Sequence, residues 1–108
     1  MLGGGESERA FMAAVVEAAQ LRGWLVYHTF DSRRSTAGFP DLVLVKPPRI
    51  IFAELKAEGG RTTPAQDRWL DALFNCAVQL DLRLGESGPL RVTRWQPSDW
   101  EEIERALR

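Results

Sequence analysis

The sequence predicts an α/β fold: a mixed sheet with helices on its faces, in the order α-β-β-β-α-β-α. Three observations carry this reading. Two strongly apolar stretches, Asp41 to Val45 and Ile50 to Lys56, flank the short connection Lys46-Pro47-Pro48-Arg49, the pattern of a β-hairpin. Segments of helical period stand on both sides of that hairpin. A further strand-like run, Leu90 to Trp95, follows the second helical segment, so strands and helices alternate along the chain. At 108 residues the chain has the size of one domain, expected to span 1–108 with a loose, glycine-rich start over 1–6.

Each element has a local reason. Ser7 is placed to cap a helix over about 8–22, where Phe11, Val15 and Ala18 or Ala19 recur at helical spacing and Gly23 supplies the stop. Trp24 to Phe30 is rich in aromatic and β-branched residues and reads as a strand. Asp31 to Pro40 is a polar loop. The two hairpin strands follow, then a turn at Gly59-Gly60. Thr63-Pro64-Ala65-Gln66 opens the next helix: a threonine cap, proline at the first helical position and glutamine three residues after the cap. Trp69, Leu73, Ala77, Leu80 and Leu84 hold helical register. Val78, Leu80, Leu82 and Leu84 also alternate as a strand would, so the helix is expected to end near residue 80. After the Gly85–Pro89 loop and the Leu90–Trp95 strand, Ser98 is placed to cap a last helix, with Glu101 three residues on.

Composition excludes several function classes. With one cysteine, Cys76, the chain can form no internal disulfide and no thiolate cluster for zinc, and the apolar setting of Cys76 predicts a buried, inert thiol. A single histidine, His28, excludes a two-histidine metal site. No apolar run approaches the roughly 20 residues of a membrane span, and no secretory signal is visible; the expected compartment is the cytoplasm. No nucleophile motif and no glycine-rich phosphate loop points to a small-molecule hydrolase. The net charge is −1, but residues 22–61 carry seven cations (Arg22, Arg33, Arg34, Lys46, Arg49, Lys56, Arg61) against four carboxylates. Such a local basic zone suits a polyanionic partner, although a solvated face has the same composition.

The chemistry concentrates in the hairpin. With the turn centred between Pro47 and Pro48, paired residues have numbers that sum to 95, so Asp41 lies opposite Glu54. Directly paired side chains leave the same face with Cβ atoms about 4.5–5.5 Å apart. Lys56, two residues beyond Glu54, shares that face, while Ala53 and Leu55 point into the core. Two carboxylates held this close repel, unless one takes a proton or a cation sits between them. Mg²⁺ suits one or two carboxylates with waters and phosphate oxygens. With a lysine beside it, such a site can hydrolyse a phosphodiester. A bare salt bridge from Lys56 is the plain structural alternative.

These residues resemble a known family. Gly38-Phe39-Pro40-Asp41-Leu42 followed by Ile51-Phe52-Ala53-Glu54-Leu55-Lys56 looks like the core of PD-(D/E)XK nucleases, and within that superfamily the chain is most similar to stand-alone VRR-NUC domains of phages and bacteria. Gly23-Trp24, Thr63-Pro64-Ala65-Gln66 with Trp69-Leu70, and Trp95 to Trp100 extend the likeness. The resemblance implies a restriction-endonuclease-like core and a Mg²⁺- or Mn²⁺-dependent DNA endonuclease. It implies metal ligation by Asp41, Glu54 and the Leu55 carbonyl, with catalysis by Lys56. Glu8 would complete the metal site, or Glu6 if the alignment slips, although an acid in a first helical turn also simply suits the helix dipole. Gln66 would join the catalytic set while also serving its cap. Arg33, Arg34 and Ser35 before Asp41, and Arg61 and Thr62 beside the second helix start, are the expected DNA-backbone contacts. His28 reads equally as a phosphate contact or a structural histidine. The four tryptophans read as core or interface aromatics. The resemblance further implies a homodimer acting on branched DNA such as Holliday junctions, or on double-stranded DNA; the short apolar runs already lead one to expect no membrane partner. The competing class is a catalytically silent DNA-binding or assembly module of the same fold.

Overall fold

The structure, a computed structural model, describes residues 4–29 and 35–108, with side chains from Glu8 onward. The elements are α1 (Gly4–Leu21), β1 (Leu25–His28), β2 (Leu42–Lys46), β3 (Arg49–Leu55), α2 (Pro64–Leu84), β4 (Leu90–Trp95) and α3 (Trp100–Ala106), the last preceded by a 3₁₀ turn at Pro97–Asp99. The order α-β-β-β-α-β-α is the expected one, and the architecture is that of a restriction-endonuclease-like fold. The sheet runs β1-β2-β3-β4 in space. Its first three strands are antiparallel neighbours, and β4 joins β3 in parallel after the α2 crossover.

The hairpin register follows the sum of 95: Leu42 pairs with Ala53, Leu44 with Ile51 and Lys46 with Arg49, leaving Pro47-Pro48 as a two-residue connection. One sheet face carries Leu42, Leu44, Ile51, Ala53, Leu55 and Trp95, and the core closes over it with Phe11, Val15 and Ala19 of α1 and Ile103 of α3. On the opposite face, Phe52 meets Phe39 edge-on, and Phe39 meets Trp69 of α2. Gly23 stops α1 as a left-handed residue (φ 88°): its amide donates to the Gln20 carbonyl and the Trp24 amide to the Ala19 carbonyl, which satisfies two carbonyls that the helix end would otherwise leave open.

Several boundaries differ from the sequence reading. Helix α1 begins at Gly4, so Ser7 lies inside the helix and does not cap it. Strand β1 ends at His28; Phe30 lies outside the described residues. Helix α2 continues to Leu84, where Gly85 (φ 74°) closes it by donating to the Asp81 carbonyl. The Val78–Leu84 alternation is therefore not a strand pattern: Leu80, Leu82 and Leu84 are exposed on a helix whose buried residue is Ala77. Cys76, next to Ala77 but on another side of the helix, is exposed rather than buried. Ser98 does not cap α3. Its amide and hydroxyl donate to Glu58 (2.9 and 2.8 Å), and the Asp99 carboxylate instead accepts the Gln96 amide at 3.0 Å. Among the described residues, no helix is long and apolar enough to cross a membrane.

Two leucines separate core from surface. Leu44→Ala is expected to cost about 2–5 kcal/mol, as large-to-small changes in a packed core do. Leu82→Ala, at a position 71% exposed, is expected to stay within about 0.5 kcal/mol. Urea unfolding of both variants checks this; a large loss at Leu82 would contradict the helical assignment of residues 80–84.

Candidate active site

The β2–β3 ladder ends at Leu42 and Ala53, and the next pair is Asp41 and Glu54. There the backbone pairing gives way to a side chain: the Leu55 amide donates to Asp41 Oδ2 at 2.8 Å. Asp41 is held from its other side as well, because the Thr29 amide donates to the Asp41 carbonyl at 3.0 Å and the Thr29 hydroxyl to the Pro40 carbonyl. The Asp41 backbone is thus held by Thr29, just beyond β1, and its carboxylate by Leu55 of β3. Thr29 escapes a reading of the sequence, since only the β1–β2 pairing brings it beside Asp41.

Glu54 is 1% exposed, the one charged residue in the buried set. Its Oε2 lies 3.3 Å from Lys56 Nζ, and its Oε1 is buried with no hydrogen-bond partner. Burial pushes the Glu54 carboxyl up to about 7, the charge on Asp41 adds to that rise, and Lys56 opposes it. Burial also raises Asp41, against the lowering effect of the Leu55 amide, Glu54 and Lys56. Glu8, exposed on α1, adds to the rise of Asp41 through its charge. Like charges brought together with so few donors favour one shared proton over two full charges.

The other expected residues fall into distinct places. Leu55 contributes its amide to Asp41 and its side chain to the core. Gln66 forms the reciprocal cap of α2: its amide donates to Thr63 Oγ1 (3.2 Å) and its Oε1 accepts the Thr63 amide (2.9 Å). It also lines a cleft of about 320 Å³ together with Asp41, Thr29, Gly38 and Phe39, so capping and proximity to Asp41 coexist. Gly38 (φ 97°) lets the chain pass tight against α2, where a Cβ would sit 2.4 Å from the Ala65 carbonyl oxygen. Thr62 donates its hydroxyl to Asp67, Arg61 and Ser35 are exposed, and His28 is half-buried at the end of β1. Arg33 and Arg34, and the side chain of Glu6, lie outside the described residues. Among the described residues, no three histidine, cysteine, aspartate or glutamate side chains form a group able to hold a metal.

The basic zone of the sequence divides in space. Lys46 and Arg49 sit at the hairpin turn, about 17 Å along the strand from Asp41 and Glu54 at the usual rise per residue. Both approach the Trp24 ring, and Arg49 donates to the carbonyls of Ala106 and Arg108. Arg22 pairs with Glu104. Arg49 thus ties the C-terminal segment to β3, Arg22 joins the end of α1 to α3, and Lys46 lies by Trp24, so these three cations do not face the carboxylates. Of the tryptophans, Trp24 and Trp95 are core, while Trp69 and Trp100 are half-buried.

A family model described as the VRR-NUC domain matches residues 4–85, an interval that holds Asp41, Glu54, Lys56 and Gln66. The chain belongs to the VRR-NUC family. The family lies within the PD-(D/E)XK nuclease superfamily, implies a nuclease-type function on DNA, and typically uses divalent metals. Neither the curated proteins nor the solved structures yielded a match. In this VRR-NUC chain, β4 and α3 follow the matched interval, and they supply Trp95 and Ile103 to the core.

The raised carboxyls fix a sign. Between the ordinary glutamate value of 4.5 and about 7, Glu54 is protonated in the folded protein and ionised in the unfolded chain. The metal-free fold therefore loses stability as pH rises through that window, and the raised Asp41 acts in the same direction. Glu54→Gln removes this contribution. Melting the metal-free parent and the variant from about pH 5 to 8 should show the parent falling relative to the variant. A constant difference between them would contradict the raised Glu54.

Proposed function

We propose that this protein is a divalent-metal-dependent endonuclease that hydrolyses phosphodiester bonds in DNA. The observation that carries the proposal is the convergence of Asp41, Glu54 and Lys56 at one end of the sheet, with an unpartnered oxygen of Glu54 buried among them. Each carboxylate is raised, so a divalent cation would relieve the repulsion that a proton relieves in its absence. The donor set is hard oxygen with no histidine or cysteine at the pair, which fits Mg²⁺ or Mn²⁺. Asp41, Glu54 and the Leu55 carbonyl would hold the ion, with Glu8 completing the site from α1. When bound, the ion supplies charge stabilisation to a phosphate under attack and a more acidic bound water.

The remaining chemistry falls to the chain's own groups. Lys56 places an ammonium 3.3 Å from Glu54, positioned to orient the attacking water or to hold a non-bridging phosphate oxygen as charge builds on it. The Leu55 amide and Thr29 keep Asp41 from swinging away as substrate enters. Gln66 borders the same cleft and, through its cap, ties α2 to it. Arg33, Arg34 and Ser35, which precede Asp41 in the sequence, and Arg61 and Thr62, which precede α2, would hold the DNA backbone without reading sequence. Retention of both carboxylates and the lysine favours the enzyme over a silent DNA-binding module. A homodimer acting on branched DNA such as a four-way junction extends this reading: two-fold symmetry would present two sites to two strands. The exposed Phe74, Leu80, Leu82 and Leu84 of α2 offer it apolar surface.

Asp41→Ala and Lys56→Ala should each lower the cleavage rate at least about 100-fold, the scale of losing one transition-state electrostatic contact. Both variants should stay folded, because neither residue belongs to the hydrophobic core. DNA cleavage in Mg²⁺ or Mn²⁺, with an EDTA control, is the assay; undiminished cleavage by Lys56→Ala, or activity in excess EDTA, would overturn the reading. Glu8→Gln should raise the metal concentration needed for half-maximal activity more than it lowers thermal stability. An unchanged metal titration would return Glu8 to a helix-dipole role.

A further inference from the structure

A second hollow adjoins the cleft that contains Asp41. Thr29 and Phe39, two walls of that cleft, also line this neighbouring pocket of about 380 Å³, completed by Tyr27, Ser35, Thr36 and Trp69. The two hollows adjoin at these shared walls, and this groove differs in character between its two ends. One end holds Asp41 and Gln66. The other is aromatic: Tyr27 is 64% exposed on the edge strand β1, and Trp69 stands half-buried on α2. Phe39 braces the indole edge-on, with centroids 5.1 Å apart and planes at 81°, and is itself braced by Phe52 at 6.0 Å and 86°. Arg68 borders a further hollow on Trp69, so a cation stands next to the aromatic end.

We propose that the Tyr27–Trp69 end of this groove receives the unstacked base of a nucleotide adjoining the cleaved phosphodiester. The inference rests on the nuclease reading above and names the form of substrate that the site takes. A nucleotide presents an anionic phosphate and, within the same small unit, a flat apolar base. The adjoining hollows present matching surfaces, Asp41 and Gln66 in one and aromatic rings in the other, with Thr29 and Phe39 shared between them. Aromatic side chains hold bases of any identity, because every base has a π-face. The pocket's volume lies in the small-molecule range, not that of a groove for a helix or strand. A base inside an intact duplex would have to leave its stack to reach these rings, whereas a base in an unpaired stretch would not. The groove therefore favours strands that are unpaired at the cut over continuous duplex.

The test uses the full chain with Mg²⁺ and single-stranded oligonucleotides. Once the cleaved bond is mapped, the base is removed at each of the two flanking nucleotides in turn. For the parent, one of the two abasic substrates should raise the half-saturating concentration at least about fivefold, the lower bound for one stacked base. Tyr27→Ala should cause a similar rise on the intact oligonucleotide and none on that abasic substrate, and Tyr27→Phe should match the parent. Trp69→Leu, which keeps an apolar side chain against Phe39, should behave as Tyr27→Ala does. Equal affinity of parent and Tyr27→Ala for the intact strand, or an equal loss on intact and abasic strands, would overturn the base site while leaving a nuclease. A parent that cleaves no nucleic acid would overturn the nuclease reading and this inference with it.

Discussion

Two carboxylates facing each other at the end of a hairpin cannot both carry full charge in a buried setting at little cost. Asp41 and Glu54 are in that position, and the local structure is arranged around the conflict. Lys56 compensates part of the charge on Glu54, and the Leu55 amide compensates part of that on Asp41. The remainder is expressed as raised carboxyls and a Glu54 oxygen with no donor. A protein gains nothing in stability from such an arrangement, since apolar residues at both positions would remove the repulsion and the unsatisfied oxygen together. Under the proposed function, the pair would serve to bind a hard cation, with a proton taking its place when none is present.

The scaffold makes the conflict sustainable. Strand β3 is central in the sheet, with β2 on one side and β4 on the other, and its residues Ile51, Ala53 and Leu55 lie in the core. Beyond β3, the turn that follows Lys56 is tied down from the C-terminal side. Glu58 accepts two bonds from Ser98, and the Gly59 amide donates to Gln96. The Lys56 amide itself donates to the Trp95 carbonyl at 2.9 Å. Rigidity thus reaches the lysine from β4 and the Pro97–Asp99 turn, while Gly38, pressed against α2, holds the approach to Asp41. Elements far apart in sequence converge on three side chains, and this limits how the pair can relax.

The hairpin was the legible part of the sequence. A two-residue turn at Pro47-Pro48 determines the register, and the register alone places Asp41 opposite Glu54. The Thr63–Gln66 cap was equally legible, because its chemistry is local. What the sequence hid was non-local or depended on facing. The Val78–Leu84 alternation mimics a strand, and only the left-handed Gly85 and its bond to Asp81 show that the helix continues to Leu84. Cys76 looks buried among apolar neighbours, yet Ala77 is the residue that faces in. The cations of residues 22–61 are near one another in sequence, but reversal of the chain at the hairpin sends Lys46 and Arg49 to the end remote from Asp41. Ser98 has the spacing of a cap, but Glu58, 40 positions away, claims it. The aromatic end of the groove was hidden for the same reason: Tyr27 and Trp69 belong to elements brought together only by tertiary packing.

The central claim is that Asp41 and Glu54 form one site in which a divalent cation replaces a proton. Calorimetric titration of Mn²⁺ into the metal-free protein at about pH 6.5, in two buffers of different ionisation enthalpy, measures this directly as protons released per ion bound. Binding with release of about one proton, abolished together with tight binding in Glu54→Gln, is the predicted result. Binding with no proton release, or equally tight binding by the parent and Glu54→Gln, would contradict it.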